Sequence, residues 1–107
     1  WAVLAIHGCR SDGEILYVGG LNEALKGRIV DALDALQFRV KESRRYPGIR
    51  PENICNQGRS GMGVQLEISL PLRRRMFRDP SLVRREARTA VFEKMVAALR
   101  GALRENS

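Results

Sequence analysis

The sequence has 107 residues, enough for one small domain with a single core. Its composition, 44% hydrophobic and 29% charged, is that of an ordinary folded protein, and no apolar run approaches the roughly 20 residues that cross a bilayer. The net charge of +7 favours polyanionic partners, such as nucleic acid, an anionic surface or an acidic polymer. We therefore expect a single domain over residues 1–107 that does not enter a membrane.

The first segment is an apolar run over residues 2–6 that ends at His7 and Gly8. Such a run predicts a strand covered on both faces, as in the sheet of an α/β protein. The chain starts at Trp1, with neither an initiator Met nor the basic stretch of a signal peptide. We expect this start to lie inside a larger protein.

A second strand is predicted from about Ile15 to Val18, after which Gly19 and Gly20 lead into a helix. Asn22 is a suitable N-cap for this helix, and an acidic residue follows in its first turn. We expect the helix to pack one apolar stripe against the sheet. That stripe consists of Leu21, Leu25, Ile29, Leu33 and Leu36.

The second half of the chain adds two more strands around a long loop. Residues 38–40 suggest a third strand, and residues 43–63, rich in Gly, Pro, Asn and Ser, predict an irregular loop of a length that is often functional. Residues 64–69 alternate apolar and polar side chains, typical of a strand with one apolar face. A basic turn or short helix follows Pro71, and Ser81 is a candidate cap for a last helix. This order predicts an α/β domain with a mixed sheet flanked by helices.

Two residues are candidates for chemistry, one at the end of a predicted strand and one inside another. His7, the only histidine, follows a buried strand, and such strand ends line the ligand crevice of open α/β sheets. A hydrogen-bonded structural imidazole is the alternative. Glu67 lies inside an aliphatic strand, where a carboxylate is expensive to bury without a partner. It could be exposed at an edge, pair with an arginine or act as a general base.

A catalytic zinc ion needs three protein ligands and an open position for water. His7 has no second histidine to join it, and a mixed site with Cys9 and Cys55 requires the long loop to approach the first strand. Nothing in the spacing of the two cysteines requires a disulfide bond between them. The glycine spacing of the loop fits no phosphate-binding fingerprint. The residues alone therefore do not predict a closed metal site.

Four ordered segments resemble the C-terminal half of the poly-γ-glutamate hydrolase family, a family with phage-related members. The resemblance covers most of residues 1–80, and its most specific part joins the Asn-Ile-Cys-Asn and Gln-Leu-Glu-Ile-Ser sequences. The segments are Val3 to Cys9, Leu16 to Leu21, Pro51 to Asn56, and Gly63 to Ser69 followed by Leu72 and Arg73.

This resemblance implies a fold like that of zinc carboxypeptidases, a Zn²⁺ cofactor and hydrolysis of γ-glutamyl amide bonds. His7 matches the family's third zinc ligand, and Glu67 matches the carboxylate placed like the general base. The N-terminal motif that supplies the other two ligands has no counterpart in this chain. From the chemistry of the loop, we further predict that Asn53, Asn56 and Arg59 hold substrate carboxylates. The expected partner is the polyanionic polymer, and the expected location is the cytoplasm or release with phage.

Two other functions fit parts of the sequence. A nucleic-acid-binding module would explain the charge and the arginines crowded near the end of the chain, although no aromatic residues alternate with them. These arginines are Arg73, Arg74, Arg75, Arg78, Arg84, Arg85 and Arg88. A solvated helix face explains the same cluster. The third possibility is a non-catalytic relative that has lost its metal.

Overall fold

Four strands form one mixed sheet in the computed structural model, which describes residues 2–45, 47–78 and 88–104. The strands are β1 (Leu4–Cys9), β2 (Leu16–Gly19), β3 (Val40–Glu42) and β4 (Val64–Ser69). The helices are α1 (Glu23–Ala35), α2 (Leu70–Met76) and α3 (Ala90–Arg104), with a 3₁₀ turn at Ile54–Asn56. No helix of the described ranges is long and apolar enough to cross a membrane.

The strand order is β1-β4-β2-β3, which places β4 inside the sheet. β4 runs parallel to β1 and antiparallel to β2, and β2 runs parallel to β3. Every residue of β4 is buried, and the strand has a neighbouring strand on each side. The predicted mixed sheet is present.

The core occupies one face of the sheet, which we call the helix face. Apolar residues of β2 and β4 point to this face and pack against α1 and α3. Each large aliphatic side chain buried there contributes about 1.5–3 kcal/mol relative to exposure. The residues that are least exposed include Leu16, Val18, Leu25, Ile29, Leu33, Val64, Leu66 and Met95.

Helix α1 forms as the sequence predicts. The side chain of Asn22 caps it by accepting a hydrogen bond from the backbone N–H of Leu25 at 3.0 Å. Leu25, Ile29 and Leu33 are fully buried. Leu36, by contrast, is 43% exposed, because it lies beyond the last turn.

The first strand differs from its prediction. β1 reaches Cys9, lies at an edge of the sheet and has three exposed residues, so it is not covered on both faces. Ile6 is 53% exposed although it pairs with the buried Leu66 and points to the helix face. The helices pack over β2 and β4 and leave this part of β1 open, so an apolar run did not indicate full burial.

Two boundaries also differ from prediction. Residues 38 and 39 precede β3, because the chain leaves α1 through Gln37 at φ 66° and the N–H of Phe38 still bonds to the carbonyl of Leu33 at 3.1 Å. The last helix begins at Ala90, after Arg88 forms a bridge with Phe77. The predicted cap Ser81 lies outside the described residues.

The side chain of Asn56 makes four hydrogen bonds that hold the long loop. Asn56 donates from Nδ2 to the carbonyls of Gly48 at 2.6 Å and Arg50 at 3.0 Å. Its Oδ1 accepts from the N–H groups of Gly63 at 2.9 Å and Leu21 at 3.4 Å. The loop, which was predicted to be irregular, thus has a fixed path beside the sheet.

Candidate active site

A lateral row of polar side chains crosses the sheet on the face opposite the helices. His7 pairs with Glu67, Glu67 with Tyr17, and Tyr17 with Lys41. Cross-strand partners project to the same face of a sheet, so these four residues lie side by side in the order of the strands. We call this the cavity face, because all four residues line one open cleft of about 1350 Å³.

Glu67 is the buried member of the row. It is only 7% exposed, and Ser43 Oγ donates a long hydrogen bond of 3.5 Å to its Oε1. Burial raises the pKa of Glu67, while the bond from Ser43 and the neighbouring His7 lower it in part. Within the described residues Glu67 forms no ion pair, so neither predicted alternative, exposure at an edge or pairing with an arginine, is observed.

His7 is exposed on the cleft side of β1, next to Glu67. The position follows from the parallel pairing of β1 with β4, which aligns two residues far apart in the chain. The two residues singled out from the sequence are thus brought together. An exposed imidazole beside a buried carboxylate can bind a cation or exchange protons with a molecule in the cleft.

Arg73 fixes the strand ends that carry this pair. Its Nε donates to the carbonyl of Ile68 at 3.1 Å, and its Nη2 donates to the carbonyl of Cys9 at 3.2 Å. The guanidinium lies against Gly8, where a Cβ would come within 2.8 Å of its central carbon. A side chain at position 8 would therefore displace the guanidinium from this place between the two strand ends.

Cys9 also lines the cleft. Burial raises the pKa of its thiol, the charge of Glu67 raises it further, and Arg73 lowers it in part. Cys55 is buried in the loop and its thiol lies 3.7 Å from the carbonyl of Gly48. Both cysteines are free.

The three predicted substrate-binding residues have different surroundings. Asn53 lines the cleft, donates from Nδ2 to Gln65 Oε1 at 3.2 Å and accepts from the N–H of Cys55 at 3.0 Å. Asn56 holds the loop through its amide, as described above, and is 4% exposed. Arg59 is exposed on the loop outside the cleft lining. Their predicted role in binding substrate stays a prediction.

Sequence reasoning missed Tyr17, Lys41 and Ser43. Tyr17 alternates with the buried Leu16 and Val18, so its orientation away from the core could have been predicted from the sequence. Its position next to Glu67 depends on the pairing of β2 with β4, which the sequence does not show. Ser43 directly follows the short β3 and reaches Glu67 only because β3 lies beside β2.

The described residues do not complete a metal site. No group of three or more His, Cys, Asp or Glu side chains within them is arranged to hold a metal ion. The mixed site of His7, Cys9 and Cys55 is therefore not formed in this part of the chain. His7 remains available as one ligand, and a catalytic zinc requires two more.

The arginine cluster does not form one free basic surface in the described residues. Arg73 is bonded to two strand ends, Arg75 lies 3.0 Å from Glu14, and Arg88 stacks over the ring of Phe92 at 4.8 Å. Arg84 and Arg85 lie outside the described residues. Binding of nucleic acid stays a prediction from charge alone.

Comparison with known proteins adds the family. The profile of the family described as poly-gamma-glutamate hydrolase matches residues 1–98. This chain belongs to that family. The resemblance found in the sequence is confirmed.

Among similar proteins, the SPbeta prophage-derived UPF0714 protein YoqZ of Bacillus subtilis strain 168 is 33% identical over 107 residues, 96% of this chain and 39% of YoqZ. A solved bacteriophage poly-gamma-glutamate hydrolase is 34% identical and superposes with a TM-score of 0.88 over 96% of this chain and 52% of the phage chain. A structure of YndL described as apo and zinc-free has the same fold, with a TM-score of 0.88 at 23% identity over 98% and 54% of the two chains. The chain thus spans about half the length of each solved relative and 39% of YoqZ. The predicted α/β fold class is confirmed.

Proposed function

We propose that this chain provides the proton-transferring part of a zinc-dependent hydrolase that cleaves γ-glutamyl amide bonds in poly-γ-glutamate or a related peptide. The observation that supports this function most directly is the pairing of His7 with the buried Glu67 in the cleft. Family membership supports the class of reaction. Because the chain spans 52% of the phage hydrolase, the activity is proposed for the whole protein that contains it.

Glu67 is the proposed general base. Its carboxylate accepts a proton from the water that attacks the amide carbonyl and returns this proton to the departing amine nitrogen. A carboxyl group with a raised pKa is a stronger base than an ordinary glutamate, which suits proton abstraction near neutral pH. Ser43, through its bond to Oε1, orients the carboxylate toward the cleft.

His7 is the proposed zinc ligand of this chain. When bound, zinc lowers the pKa of a water molecule and polarises a carbonyl group. The described residues supply one ligand and not three, so the proposal requires the other ligands to come from the remainder of the protein. His7 is exposed toward the cleft and therefore open to such a shared site.

The decisive experiment measures the chain length of poly-γ-glutamate during incubation with the full natural protein and its variant Glu67→Gln. The amide keeps the shape of the side chain but does not accept the proton, so kcat should fall about 10²- to 10⁴-fold. Glu93→Gln, on an exposed turn of α3, is the matched control and should leave kcat unchanged. A Glu67→Gln protein with the wild-type rate rules out the general base.

A further inference from the structure

The charges around the cleft are unequal on its β3 side. The basic lining residues Lys41, Arg44 and Arg45 lie in or just after β3, and Arg10 follows β1 at the opposite edge, whereas the acidic lining residues are Glu42 and Glu67. Glu42 pairs with Val18 and alternates with Lys41, so it points to the helix face, where its carboxylate lies 4.0 Å from Lys26 Nζ. It therefore does not neutralise Lys41.

Lys41 and Arg44 are exposed and make no ion pair within the described part of the chain. Lys41 lies in β3 and is the last member of the lateral row on the cavity face, and Arg44 follows two residues after the end of this strand. Two such cations, close in the chain and on one rim of a cleft, attract an anion in that cleft. An anion attracted by them would lie on the β3 side of Glu67.

The distance from the base follows from the sheet. β2 alone separates β3 from β4, so Lys41 lies two strand spacings from Glu67, about 9–10 Å along the row. A γ-linked polymer of glutamate carries one free α-carboxylate on every residue. A substrate whose scissile amide lies at Glu67 and whose chain follows the row therefore brings a carboxylate of a neighbouring residue toward Lys41.

We propose that Lys41 and Arg44 bind a substrate α-carboxylate on the β3 side of the scissile bond and thereby select polyanionic γ-glutamyl chains over uncharged amides. This inference rests on the proposed function, because it places the scissile bond at Glu67. It assigns Lys41 and Arg44 to specificity, while Glu67 transfers the proton. Tyr17, between them, forms the floor over which the substrate passes.

The test uses the double variant Lys41→Gln with Arg44→Gln, and fluorescent poly-γ-glutamate as the probe. Binding to the full natural protein is followed by anisotropy at low salt. We expect about three- to tenfold weaker binding for the double variant and a flatter dependence of Kd on salt. Lys94→Gln, an exposed cation on α3 outside the cleft, should change Kd less than about twofold.

A second probe separates charge from shape. Poly-γ-glutamate with methyl-esterified carboxylates lacks the anions, so wild type and double variant should bind it equally. In hydrolysis assays the double variant should raise KM while kcat stays near the wild-type value. Equal loss of binding for Lys94→Gln and the double variant, or an unchanged KM, overturns the assignment.

The binding measurement also separates this inference from the proposed function. A protein that binds the polymer through Lys41 and Arg44 without cleaving it contradicts the hydrolase and keeps the carboxylate site. A protein that cleaves the polymer with the double variant unimpaired keeps the hydrolase and contradicts the carboxylate site. Folding of the double variant is checked by its thermal transition, which should match wild type because both side chains are exposed.

Discussion

At the scale of single residues, Glu67, the proposed general base, must meet two requirements that oppose each other. A general base must meet substrate in a cleft, yet burial is what raises its pKa. The structure satisfies both by placing the carboxylate on a central strand, 7% exposed, with the cleft above it. A buried carboxylate that needs to ionise is expected to reduce stability.

The stability of the variant Glu67→Gln should show how much the ionised, buried carboxylate destabilises the wild-type protein. Burial raises the folded-state pKa of Glu67 above the ordinary value of 4.5. The protonated carboxyl group therefore makes its full contribution to stability below pH 4.5, and this contribution is lost as the pH rises through the folded-state pKa. Glutamine does not ionise. The free energy of unfolding of the variant should therefore rise relative to wild type as the pH increases from about 4 to about 8.

Urea denaturation over this pH range measures the difference. The control Glu93→Gln changes an exposed carboxylate on α3 and should show a nearly constant difference from wild type. A difference for Glu67→Gln that does not grow with pH would show that burial does not raise the pKa of Glu67.

At the scale of elements, the end of α1 contains a residue in an unfavourable conformation. Gln37 has φ 66°, in the left-handed region that favours glycine, and it turns the chain toward β3. Gln37→Gly should stabilise the fold by about 1 kcal/mol, because the steric cost of a Cβ there is removed. Thermal or urea unfolding measures this gain in stability. Leu36→Gly, at the preceding residue with φ −94°, should instead destabilise.

Helix α1 and strand β4 could be predicted from the sequence because their patterns depend on nearby residues. Leu25, Ile29 and Leu33 repeat at helical spacing, and Asn22 is a suitable cap. The edge position of β1 and the shift of β3 could not be predicted, since strand order depends on pairing between distant segments.

For the same reason, only part of the candidate site could be predicted from the sequence. His7 and Glu67 were found from their residue types and the family resemblance, whereas Tyr17, Lys41 and Ser43 depend on the order β4-β2-β3. The sequence pattern shows which residues face away from the core. It does not show which of those residues become neighbours.

At the scale of the whole molecule, zinc binding should depend on more than this chain. The described residues offer His7 and no group of three ligands, so the isolated 107-residue chain should contain well under one zinc ion after dialysis. The full natural protein should hold about one ion, and His7→Ala should lower that content. Elemental analysis measures both.

The controls for zinc content use the same preparations. Cys55→Ala should leave the zinc content of the full protein unchanged, because the thiol is buried in the loop. One tightly held zinc ion in the isolated chain would show that its own residues complete the site.

The paired residues of the candidate site lie on strands that differ greatly in burial. β4 is buried throughout, whereas β1 is an edge strand with three exposed residues and, among the described strands, only β4 beside it. Separation of β1 from β4 would part His7 from Glu67 while α1, α3 and the helix-face core stay packed. We therefore expect the competence of the site to follow the free energy of this local opening and not that of global unfolding, so heat or denaturant should abolish function before the core melts.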